Sequence, residues 1–158
     1  MEKYGGVQYF SADHLVRLGQ DKIEFLLYDC EKLPQIELEN GIILFKNSFH
    51  SSEKNLIPEG FLSILEMKNS SAAELLNGTG AAAITCGTSS KDTLSIAGID
   101  ETSAALSLQR SVMTVGGRML EPHDFTVRFP SKLSPTRILA VCAVLLLSGI
   151  DSANGYEL

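Results

Sequence analysis

Residues 81–110 read AAAITCGTSSKDTLSIAGIDETSAALSLQR, and the division of this stretch decides the fold. A short apolar run, 81–85, stops at Cys86-Gly87. A polar loop carrying Lys91 and Asp92 follows, then two strand-like runs around a turn at 98–102. A strand that ends at a glycine and a hydroxyl-rich loop is a common place for α/β proteins to hold phosphate. The candidate ligand-binding residues are therefore Gly87, Ser89, Ser90, Lys91 and Asp92. A working phosphate cradle needs a Gly before its Lys, so the backbone can wrap the anion, and a Ser or Thr after it for Mg²⁺. Here those positions hold Ser90 and Asp92. A helix should come next, but TLSIAGI is strand-like. The alternative to a phosphate site is a solvated loop in which Lys91 and Asp92 form an exposed pair, worth about 0–1 kcal/mol.

Upstream, IEFLLYDC (23–30) is dense in β-formers and reads as a buried strand, with Asp29 near its end. Shorter strands are expected at 42–45, 61–65 and 81–85. Between them lie loop or helix segments, so the fold class predicted is α/β, with a mainly parallel three-layer sheet. Ser11 as N-cap and Gly19 at C′ predict a short helix over 12–18. Ser70 or Ser71 should cap a second helix, through Leu76 and closed by Asn77-Gly78. Downstream, 93–99, 104–109 and 125–129 look like an antiparallel extension, with Gly116-Gly117 as a turn. Ser134 as N-cap, Pro135 at N1 and Gly149 at C′ bracket RILAVCAVLLLS. That run is apolar nearly all round, which marks a buried C-terminal helix with Cys142 inside it. Residues 151–158 are polar and read as a frayed tail.

A chain of 158 residues is expected to form one domain with a normal core. The net charge of −6, with 13 Lys and Arg that do not cluster, gives no footprint for nucleic acid. The longest apolar run, 138–147, is about half the ~20 residues a bilayer crossing needs, and the N-terminus has no signal-peptide core. A cytoplasmic protein without a membrane partner is expected. Cys30, Cys86 and Cys142 are widely separated and form no CxxC pair, which suits reduced thiols better than zinc or disulfides. His14 and His50 are isolated, so no metal and no cofactor are expected.

From about residue 60 to 150 the order of parts resembles the closing part of the central domain of Mur ligases, the ATP-dependent amino-acid ligases of peptidoglycan synthesis. GFLSIL, SAAELLNGTGA, AAITCG, the 93–129 strands and ILAVCAVLLLSGI stand in the places of that domain's strands, short helix and Ala-rich buried helix. In the family, a His-Asn pair and a second Asn three residues later help hold the nucleotide before the buried helix. The corresponding residues here are Leu133, Ser134 and Arg137. The family's Gly-Thr-Asn-Gly-Lys-Thr type loop has no counterpart before residue 60, and the family's two other domains have no room. The resemblance implies a stand-alone, non-catalytic relative that works by binding or assembly.

Arg118, Glu121, His123 and Asp124 sit together in GRMLEPHDF and could support proton transfer, or form a charged turn between strands. Cys86 beside Gly87 is a thiolate candidate only if a cation or helix N-terminus lies close; otherwise it is a small core residue. Catalytic residues are not assignable. An antiparallel patch of a few strands cannot bury both faces or cover its edge, and 104–108 carries no charge to protect that edge. A homodimer through Leu106 and Leu108 is therefore expected, the alternative being a monomer whose edge is covered by the loop over Gly116-Gly117 folding back. The alternative function is a small enzyme or nucleotide-binding protein using the Gly87 to Thr93 loop.

Overall fold

The computed structural model describes residues 7–18, 22–30, 35–36, 40–50 and 56–158. The fold is α/β, with parallel strand pairs, an antiparallel part and a buried C-terminal helix. The chain divides into two compact units, Met1–Ala83 and Ile84–Leu158.

In the first unit, β1 (Val7–Leu18) pairs antiparallel with both β2 (Lys22–Cys30) and β3 (Asn40–Phe45). In turn β3 pairs in parallel with β4 (Gly60–Glu66). The helix expected over 12–18 is thus a strand. Val7 to Ser11 lie in the ladder with β3 as well as β2, and this long-range pairing outweighs the local cap signal at Ser11. The helix-like composition of the next residues is absorbed by an irregularity. The register passes from Ser11↔Leu26 to Val16↔Glu24, so Ala12–Leu15 face Phe25 alone. Gly19, the expected helix terminator, lies outside the described residues.

The core of this unit gathers Ile43, Phe45, Phe49, Phe61, Leu65 and Ala72. The Phe45 and Phe49 rings meet edge to face at 4.9 Å. Ala72 comes from α1 (Ser70–Leu76), whose cap is Asn69 rather than a serine. The Asn69 side chain accepts from the Ala72 N–H at 3.0 Å and donates to the Lys46 carbonyl at 2.7 Å. One residue therefore fixes the helix start and its place against the preceding turn.

In the second unit the sheet runs β5 (Ala83–Gly87), β6 (Leu94–Ile99), β7 (Ser103–Leu108), β10 (His123–Arg128) and β11 (Tyr156–Glu157). The outer pairs, β5–β6 and β10–β11, are parallel, and the inner pairs are antiparallel. A separate hairpin joins β8 (Val112–Met113) to β9 (Met119–Leu120). α2 (Pro135–Leu147) starts on Ser134 with Pro135 at its first turn, as its sequence dictates, and buries Ile138, Leu139, Cys142, Ala143, Val144, Leu146 and Leu147. The Val115 N–H donates to the Leu147 carbonyl at 2.8 Å and anchors the hairpin to the end of α2. Among the described residues, no helix is long and apolar enough to cross a membrane.

Two expectations fail here. Leu106 and Leu108 are 1% and 2% exposed, so they are core residues and not a docking surface. Their strand, β7, is flanked by β6 and β10 and offers no open edge. The patch keeps one uncovered face, which carries Ala105, Asp124, Thr126 and Arg128. The tail is not frayed either. Tyr156 and Glu157 pair with Val127 and Arg128, and the Leu158 N–H donates to the Arg128 carbonyl at 2.9 Å.

Candidate functional site

The loop after β5 is a tight return between two parallel strands. Parallel neighbours normally need a crossover of about a dozen residues. Here Cys86 pairs with Leu94 and Gly87 with Ser95, so residues 88–93 make the whole connection. Thr85 and Thr93 clamp its base: the Thr93 N–H donates to the Thr85 carbonyl at 2.9 Å and lies 3.0 Å from Thr85 Oγ1. The Asp92 N–H closes a turn on the Ser89 carbonyl at 3.0 Å. The Lys91 N–H donates to Ser89 Oγ at 3.2 Å, and Arg110 donates to the Lys91 carbonyl at 2.6 Å.

The centre of this loop is filled by its own carboxylate. Asp92 is 6% exposed and its Oδ2 accepts from the Ser89 N–H at 3.1 Å. Gly87 lies against it so closely that a Cβ there would stand 2.3 Å from Asp92 Oδ2. Of the five predicted residues, Gly87 and Ser89 are therefore brought against the Asp92 side chain. Lys91 is exposed while Asp92 is buried, so the two do not form the exposed pair expected. A phosphate entering here would meet a carboxylate where a cradle presents bare N–H groups.

The acidic and basic cluster in 118–124 separates once folded. Arg118 donates to the Gly149 carbonyl at 3.0 Å. Glu121 accepts from Ser111 Oγ at 2.9 Å. Asp124 Oδ1 accepts from Ser107 Oγ. His123 turns instead to the C-terminal segment: its Nε2 lies 2.7 Å from Ser152 Oγ, and its Nδ1 lies 2.7 Å from the Glu121 carbonyl oxygen.

Ser152 had no signal in the sequence, since its partner is far along the chain. Around it the segment is closely held. Tyr156 is 6% exposed, stacks edge to face on Phe125 at 5.5 Å, and donates to the Ile150 carbonyl at 2.8 Å. Gly155 has φ +75, and a Cβ there would stand 2.3 Å from the Thr126 carbonyl oxygen. Burial pushes the Tyr156 hydroxyl well above the usual range, with the neighbouring Cys142 adding to the effect. Burial likewise pushes the Cys142 thiol up to about 12.

Cys86 is buried at the end of β5, and none of the three cysteines is in a disulfide. His50 is exposed, with its Nδ1 3.4 Å from Ser71 Oγ. The side chains of His14 and Asp29 lie outside the described set. Among the described residues no group of three or more His, Cys, Asp or Glu side chains is placed to hold a metal ion. Compared with known proteins, the chain matches no family model and no curated sequence.

Proposed function

We propose that this chain acts by binding or assembly in the cytoplasm, as a relative in shape of the Mur ligase central domain without its nucleotide chemistry. Its partner, on this proposal, is a second copy of itself. The observation that carries the first half is the buried Asp92 carboxylate in the one loop whose composition suggested phosphate. The dimer surface moves from Leu106 to the β8–β9 hairpin. There Met113 and Met119 oppose each other across the strands and are 44% and 49% exposed. Exposed methionines on an anchored hairpin give an adaptable apolar contact.

Light scattering at tens of micromolar tests this. A dimer that becomes monomeric in the double variant Met113→Lys, Met119→Lys is expected. A monomer throughout the range removes the assembly proposal.

The competing function, nucleotide or phosphate binding by Gly87 to Thr93, has its own test. Calorimetric titration with ATP and Mg²⁺ should give no heat of binding. Micromolar binding that is lost in Lys91→Ala would establish the competitor instead.

A further inference from the structure

We propose that Ser152 is an acyl-accepting nucleophile with His123 as its base. A carbonyl oxygen only accepts hydrogen bonds, so the 2.7 Å contact with the Glu121 carbonyl puts the proton of a neutral His123 ring on Nδ1. The lone pair is then on Nε2, which faces Ser152 Oγ at 2.7 Å and can accept from the serine hydroxyl, whose other neighbour is Tyr156. Nucleophile, base and orienting acceptor thus stand in the order that activates a serine. The third member is a main-chain carbonyl in place of a carboxylate.

The carboxylates nearby are engaged elsewhere. Asp124 is held by Ser107, Glu121 by Ser111, and Asp151 Oδ1 by the Ala153 N–H at 3.1 Å. The two partners come from different elements joined by strand pairing. His123 opens β10, and Ser152 lies in the turn fixed by the Val127↔Tyr156 pairing and by Gly155 against Thr126. Ser152 is 6% exposed between exposed Asp151 and Ala153, so a substrate has to be compact and to present its acyl group at the turn. The substrate class is a short-chain activated ester or thioester.

In the step, Oγ attacks the acyl carbon while its proton passes to Nε2. The bond from the acyl carbon to the leaving oxygen or sulfur breaks, and Nε2 returns the proton to that atom. The product is an ester of Ser152, with nothing oxidised or reduced. Because the Ala153 N–H is held by Asp151, it does not stabilise the oxyanion in either acylation or deacylation; both steps are slow, and only the better leaving group of an activated ester lets the first outpace the second and leave the acyl-serine. This inference is independent of the binding and dimer proposals.

The experiment treats the full chain with 4-nitrophenyl acetate and follows nitrophenolate release and peptide masses. A single release per chain is expected, with the acetyl group on Ser152. In His123→Gln the release should be about 100-fold slower, the lower end of what a positioned base contributes. Ser152→Ala should lose it altogether, with slow alkylation of Cys142 reporting that each variant is folded. No acetyl group on Ser152 of the folded wild-type chain overturns the proposal. So does acetylation of a lysine such as Lys91 with Ser152 bare, or an unchanged rate in folded His123→Gln.

Discussion

Asp92 shows how a charged residue can be structural. Its carboxylate is withdrawn from water and held by the Ser89 N–H in a loop with no room to spare beside Gly87. Asp92→Ala leaves that N–H without its acceptor, so a loss of about 1–3 kcal/mol is expected in urea unfolding. A loss below a few tenths would mean that the carboxylate does not hold the turn. Cys142 makes a contrasting case, since its burial is a matter of packing alone. Its thiol loses its proton only near pH 12 in the folded chain, against 9.0 for a free thiol. The folded state therefore has the raised value, and the stability tied to this group is complete below pH 9 and is lost as the pH climbs towards 12. Iodoacetamide in native buffer at pH 8 should leave Cys142 unmodified and should label it rapidly in denaturant. Labelling at equal rates would contradict its place in the core.

At the level of elements, the last short strand matters more than its length suggests. β11 brings Tyr156 under Phe125, and its turn delivers Ser152 to His123. Tyr156→Ala should cost about 3–5 kcal/mol, the range for emptying a large aromatic site, and should lower the melting temperature accordingly. An unchanged melting temperature would show the tail to be an ornament. Nothing in Asp151–Leu158 read alone announces this strand, because its partner lies on β10 and its composition is polar. By contrast α2 was legible in full. Ser134, Pro135 and the apolar run all act within the segment, so local chemistry decides it. The helix expected over 12–18 fails for the opposite reason: β1 is made by what it pairs with, and pairing is not written in neighbouring residues. The same distinction governs the candidate site. The membership of Gly87, Ser89, Ser90, Lys91 and Asp92 in one loop was readable, whereas the direction of the Asp92 carboxylate depends on a turn that only the folded chain defines.

For the whole molecule, the chain is built as two compact units, Met1–Ala83 and Ile84–Leu158. Buried apolar side chains gather around Phe49 and Phe61 in the first, and along α2 at Ile138, Leu146 and Leu147 in the second. Composition could not reveal this, because both halves draw on the same stock of apolar residues. The division has a calorimetric consequence. If each unit melts on its own, the total heat absorbed on denaturation exceeds the van't Hoff value obtained from the sharpness of any one transition. A ratio of one would mean that the halves melt as a single unit. Where the ratio exceeds one, the chain has two midpoints, and Tyr156→Ala should move the midpoint of the second half while the first stays in place.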